Sequence, residues 1–179
     1  MRGRLAASGE LFGGYHPEME AVHLANADRL ARVLDAHGWP GAARFGEEAA
    51  AAAWLIAQHA IGLPALQRRC LAALELAAAN GGVSAVHAAF LGDRIRVLEG
   101  RPQRYGTQFD WSADGRLSPS PIEDAAGVDA RRAAVGLGPL AARTAELRAR
   151  AAAEGDRVPA DPAARAAEQD AWARRVGWR

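Results

Sequence analysis

A chain of 179 residues with 22 basic and 21 acidic side chains, net charge +1 and one cysteine is long enough for one domain with a proper core. The charge balance gives no electrostatic case for nucleic acid or an anionic membrane surface. Cys70 alone can form neither a disulfide nor a cysteine zinc site, and the first residues carry no apolar run of signal-peptide length, so a soluble cytoplasmic protein is expected.

Residues 1–15 read as a Gly-rich lead-in. His16-Pro17 opens a first helix, with Pro17 where a missing N–H does no harm. It runs to about His37 and stops at Gly38-Trp39-Pro40. Its inner stripe is Met19, Val22, Leu30, Val33 and Leu34, and His23 and Asn26 fall within that stripe. Glu47–Ile61 follows, EEAAAAAWLIAQHAI. Two acids suit the positive end of a helix, and nine apolar residues come next. Trp54, Leu55, Ile56 and Ile61 point in different directions, so the pattern predicts a core helix with the others packed around it. Gln58 and His59 would then lie inside. The stretch is too short to cross a membrane.

Leu63-Pro64 starts a helix that runs to Asn80 and is closed by Gly81-Gly82. Its stripe is Leu66, Cys70, Leu71 and Leu74, with Gln67 near the middle and Arg68, Arg69 and Glu75 pointing away. Val83-Ser84 caps a fourth helix, to about Glu99-Gly100. There the stripe is Val86, Phe90, Leu91, Val97 and Leu98. Arg94 sits near the centre of that arc, His87 beside it and Asp93 at the edge. Helical periodicity then fails over residues 101–121, where aromatic residues and an Asp114-Gly115 turn predict a short hairpin or extended loop. Short helices are expected over 124–135 and 139–153, with a last one capped by Asp161-Pro162 and running to about Val176. The fold class that follows is mainly α: a compact multi-helix bundle around a central buried helix, with a short β-hairpin or extended loop near residues 104–120. The domain reading is a lead-in over 1–15, one helical domain over 16–155, and a peripheral C-terminal helix over 156–179.

Polar groups stand where four successive helices want apolar ones. A bundle interior is where helical proteins build ligand sites, so convergence on a buried polar pocket is the functional expectation. The catalytic candidates are His59, Arg94 and Tyr105. His59 would act as general acid or base. Arg94 would hold a carboxylate or phosphate, and Tyr105 would donate a proton or stack. His23, Asn26, Gln58, Gln67, Asp93, Thr107 and Gln108 would bind the substrate, and Gly106 would let the backbone approach it. Each has a plainer reading. A lone core histidine usually just finds a hydrogen bond, a buried Gln ties a loop carbonyl, and Arg94 could pair with Asp93 or Glu47.

Glu20 and His23 form an E-x-x-H pair, which carboxylate-bridged metal bundles need twice. Here it occurs once. His23, His59 and His87 could supply three nitrogens, but no spacing supports that, so no metal is assigned and no cofactor is identified. There is no G-x-S-x-G elbow, P-loop or G-x-G-x-x-G. Cys70, on a core stripe, reads as a small buried hydrophobe. Three functions fit: an enzyme acting on a small polar or anionic molecule by hydrolysis, elimination or isomerisation; a non-catalytic module binding a ligand in the same pocket or a protein on the hairpin; and a purely structural bundle. The partner expected is a small molecule, and the Ala-rich C-terminal helices are candidates for covering a second copy of the chain.

HGWP (His37 to Pro40), AAWLIAQHA (Ala52 to Ala60), LQRRCL (Leu66 to Leu71) and LGDRIRVLEGRPQRYGTQ (Leu91 to Gln108) together resemble a bacterial family, domain of unknown function 6624, over roughly residues 16–140. The most specific parts are the Gln-His pair and the Tyr-Gly-Thr-Gln string. Gly92 and Ile61 stand where the family often has Asp or Thr. The resemblance implies no activity. It implies that Gln58, His59, Asp93, Arg94 and Tyr105 to Gln108 belong to one unit.

Overall fold

The computed structural model describes residues 17–112, 114–156 and 158–179, with side chains from Glu20 onward. The lead-in over 1–15, His16 and the Met19 side chain lie outside what is described. Among the described residues there are eight α-helices and one two-stranded antiparallel hairpin, so the chain is mainly helical with a small β element. The chain divides into two compact units, Met1–Ala73 and Leu74–Arg179.

In the first unit, α1 spans Pro17–His37 and ends as its sequence dictates. Gly38 turns left-handed at φ +70° and its N–H donates to the Leu34 carbonyl at 3.0 Å. A one-turn helix, α2 (Ala42–Phe45), leads into α3 (Glu47–His59). α1 and α2 both pack on α3. The buried residues of the two longer helices are Ala27 and Leu30 on α1 and Ala53, Ala57 and Gln58 on α3.

Here one expectation is corrected. α3 buries Ala53, Ala57 and Gln58 only, Leu55 is 53% exposed, and His59 is exposed too. It is a one-sided helix, not the wrapped centre of a bundle. Alanine counts as apolar in the pattern, but one methyl gains only about 0.8 kcal/mol from burial, so an alanine face can stay wet. α4 (Pro64–Ala79) follows its stripe: Leu66, Gln67, Cys70 and Leu74 are buried, with Arg68, Arg69 and Glu75 exposed.

The second unit opens with the end of α4 and then α5 (Ala85–Leu98), whose N-cap Ser84 accepts from the Val86 N–H. Its buried residues are Ala89, Leu91, Asp93 and Ile95. Asp93, expected at the edge of the stripe, is fully buried, and Arg94 is half-buried. Strands β1 (Phe109–Trp111) and β2 (Leu117–Pro119) pair antiparallel with Asp110 opposite Ser118, and Gly115 makes the turn at φ +73°. A 3-10 turn (Ala125–Gly127) runs into α6 (Val128–Ala134). α7 (Leu140–Glu154) packs against α6 and β2. Arg148 of α7 donates to the Leu117 carbonyl at 2.7 Å and to Ser118 Oγ at 3.0 Å.

The last helix, α8 (Pro162–Val176), is capped by Asp161, whose carboxylate accepts from the Ala164 N–H at 2.8 Å. It is held at both ends. Arg165 pairs with Asp110 of β1 at 2.7 Å, and beyond the helix Trp178 is buried while Arg179 donates to the Leu98 carbonyl at 3.1 Å. No helix among the described residues is long and apolar enough to cross a membrane.

Candidate functional site

In the first unit the polar candidates gather around the C-terminal end of α3. A helix leaves its last carbonyls without intrahelical partners. Gln67 supplies two of them: its Nε2 donates to the Ala57 carbonyl at 2.7 Å and the Gln58 carbonyl at 3.3 Å. Its side chain is fully buried. Gln67 is therefore a cross-helix cap, which explains a polar residue in the middle of an apolar stripe. Its Oε1 is buried without a hydrogen-bond partner among the described residues.

Beside this cap, two imidazoles meet. His23 lies one turn before Ala27 on the face of α1 that packs on α3, because residues four apart share a helix face. His59 is the last residue of α3. Their rings stack with centroids 4.9 Å apart and planes inclined by 27°. Desolvation lowers the pKa of His23 below its ordinary 6.5. Two imidazolium ions at this separation would repel each other. Asn26 is half-buried on the same helix and Gln58 is buried next to His59. Glu20 lies one turn before His23, its Oε1 3.8 Å from the point a Cβ on Gly62 would occupy. Among the described residues no three His, Cys, Asp or Glu side chains are grouped to hold a metal ion. Burial pushes the Cys70 thiol up to about 12, which keeps it protonated and unreactive at neutral pH.

In the second unit, Asp93 of α5 and the candidates of the non-periodic segment form one assembly. Asp93 Oδ1 accepts from the Arg104 N–H at 2.7 Å and the Tyr105 N–H at 3.1 Å. Oδ2 accepts from the Thr107 N–H and the Thr107 hydroxyl, each at 3.0 Å. A carboxylate with these donors is an anchor for a loop, not a base waiting for a substrate. The loop's carbonyls are held from the other side. Arg132, buried on α6, donates to the Tyr105 carbonyl at 2.6 Å and to the Gly138 carbonyl at 2.6 Å. Burial lowers its pKa, while Asp129 and Asp93 act in the opposite direction. Arg131 donates to the Arg104 carbonyl at 2.9 Å.

Gln103 completes the frame. Fully buried, its Nε2 donates to the carbonyls of Gln108 and Ser120 at 2.9 and 2.8 Å, and its Oε1 accepts from the Gln108 N–H at 2.9 Å. The Gln108 amide in turn donates to Thr107 Oγ1 at 3.0 Å. Gly106 sits inside this frame at φ +65°, where a Cβ would fall 2.7 Å from a Leu140 methyl. Glycine is needed there both for the backbone angle and for space. Tyr105 is half-buried, as are Phe109 and Trp111 of the hairpin. Burial lowers the pKa of Arg94 and of His87 on α5.

The first unit thus holds His23, Asn26, Gln58, His59 and Gln67, with His23 stacked on His59 and Gln67 bonded to the end of α3, and the second holds Asp93, Arg94, Tyr105, Thr107 and Gln108, of which Asp93, Tyr105, Thr107 and Gln108 are joined by hydrogen bonds. Arg131 and Arg132 were not anticipated, and Gln103 was expected only as a hairpin residue over the mouth of the pocket. A search for polar residues on helical stripes passes over Gln103, which lies in a non-periodic segment, and over α6, too short for a stripe to show. The one available signal was the string RPQRYGTQ, which includes Gln103.

A family model matches residues 13–155, that of a family of unknown function, DUF6624. No curated protein and no solved structure matches the chain.

Proposed function

We propose that this chain, which belongs to the family of unknown function DUF6624, is an enzyme that moves protons on a small polar or anionic molecule, with His59 and His23 as the acid–base pair. The observation that carries this reading is the His23–His59 stack at 4.9 Å. His59 is exposed, so a substrate reaches it, and half-buried His23 is held toward its neutral form by desolvation. An imidazole kept neutral near physiological pH is a competent general base, and its partner can carry the proton onward. Gln58 and Asn26 supply amides for orientation, and the Gln67 cap fixes the helix end that bears His59. Hydrolysis, elimination and isomerisation can each use such a proton shuttle. The hairpin aromatics are half-buried, which favours the imidazole pair over the hairpin face as the working surface.

The test is conversion in a defined mixture of small polar metabolites, followed by mass spectrometry, with wild type, His59→Gln and His23→Gln. Expected is at least one substrate and product pair made by wild type and lost by 100-fold or so in His59→Gln, in line with removal of a general base, while circular dichroism shows both variants folded. No conversion by wild type, or equal conversion by His59→Gln, rejects the reading.

A further inference from the structure

We infer that the second unit carries a separate binding site for a small, multiply charged oxyanion, a phosphate or carboxylate compound, in the cleft between Arg96, Arg104 and Arg131. The cleft encloses about 390 Å³ and is completed by Glu123 and Asp124. It is independent of the imidazole pair, which lies in the first unit.

Three cations face two carboxylates there, and the three are not used alike. Arg131 is spent: Nη1 pairs with Asp124 at 3.0 Å, Nη2 donates to the Glu123 and Asp124 carbonyls, and Nε to the Arg104 carbonyl. Arg96 is partly spent, with Nε on the Pro102 carbonyl and Nη2 on Glu123, both at 2.6 Å. Its Nη1 has no partner among the described residues. Arg104 makes no ion pair and no side-chain hydrogen bond among the described residues; its guanidinium lies only over the Tyr105 ring, 5.7 Å from the centroid.

The backbone of Arg104 is the opposite case. Its N–H is bound by the buried Asp93 carboxylate at 2.7 Å and its carbonyl by Arg131 at 2.9 Å. Two charged side chains fix the main chain of a residue whose own charged group is left uncommitted at the rim of a cleft. A fixed main chain spares the backbone's share of the conformational freedom lost on binding, and the planar fork of the guanidinium suits a carboxylate or phosphate. The two carboxylates keep Arg96 and Arg131 in place and limit the surplus to one positive charge, enough to draw an anion but not a polyanionic surface.

The experiment is calorimetric titration of the full chain at low salt with pyrophosphate and, separately, with tricarballylate. Wild type is compared with Arg104→Gln and with Arg101→Gln, which removes the same charge from an exposed arginine paired with Glu99. Expected is binding of at least one probe, weakened about tenfold or more in Arg104→Gln by loss of charge-assisted hydrogen bonds and unchanged in Arg101→Gln. The tighter probe assigns the ligand to the phosphate or the carboxylate class. Because the Arg104 side chain makes no hydrogen bond or ion pair among the described residues, its replacement leaves the fixed main chain intact, and an unchanged thermal midpoint verifies this. Absence of binding by both probes, equal binding by Arg104→Gln, or equal losses in the two variants overturns the proposal. None of these outcomes bears on the metabolite conversion that tests the imidazole pair.

Discussion

The Asp93 carboxylate takes three backbone N–H groups and one hydroxyl from a four-residue stretch, Arg104 to Thr107. Buried charge is costly, and here the cost is offset by ordering a loop that has no repeating backbone ladder of its own. Asp93→Asn tests the assignment. An amide keeps one acceptor oxygen but turns an NH2 group toward backbone donors, so bonds are lost and a clash of donors is created. Bonds to a charged group contribute roughly 1.5–3 kcal/mol each, and the variant should lose about 3 kcal/mol in urea denaturation. A loss under about 1 kcal/mol would show that the loop holds its shape through Gln103 and Arg132 alone. Gln67 plays the matching part in the first unit, where it meets helix-end carbonyls instead of loop N–H groups.

At the scale of elements, α8 illustrates how a helix poor in large apolar residues is fastened. Within it only Ala173 is buried. Gly177 then turns left-handed at φ +89°, the Trp178 N–H returns to the Ala173 carbonyl at 2.9 Å, and the indole is buried. Arg179 ties the terminus to the Val97 and Leu98 carbonyls at the end of α5 and to Asp170. Trp178→Ala should therefore cost about 3 kcal/mol, the usual penalty for truncating a buried aromatic. Hydrogen exchange should show the amides of Pro162–Val176 opening first. If α8 keeps its protection, the anchor is the ion pair of Arg165 with Asp110, not the indole. The hairpin and α7 are joined in a similar way, through Arg148 on the Leu117 carbonyl.

For the whole molecule the consequence is a dependence on pH. His23 in the first unit and His87 in the second both have pKa values lowered by burial from 6.5. A histidine depressed in the folded state binds more protons when unfolded, so its contribution to stability is complete above the unfolded value and is lost as pH falls through the folded one. The thermal midpoint should fall as pH drops below about 6.5. The fall should be shallower in His23→Gln and His87→Gln, and identical profiles in wild type and variants would remove the histidines from the account. Much of this was legible in the residues. Pro17, Gly38, Ser84, Asp161 and the Asp114-Gly115 turn fixed element ends, because capping and turn chemistry act within a few residues. Gln67 was placed on its buried stripe for the same local reason. What depended on tertiary contact was not legible. The exposure of α3 and His59 turned on how little an alanine face gains from cover. The burial of Asp93, expected at the edge of its stripe, turned on the loop N–H groups that it meets. The part played by Gln103, Arg131 and Arg132 turned on backbone groups some 20 residues or more away in the case of the arginines. By itself the sequence determined a mainly helical chain, where most of its helices begin and end, and a short hairpin. Only the tertiary structure decided which polar side chains hold the frame and which stay available for chemistry, since a hydrogen-bond partner distant in the chain leaves no periodic trace in it.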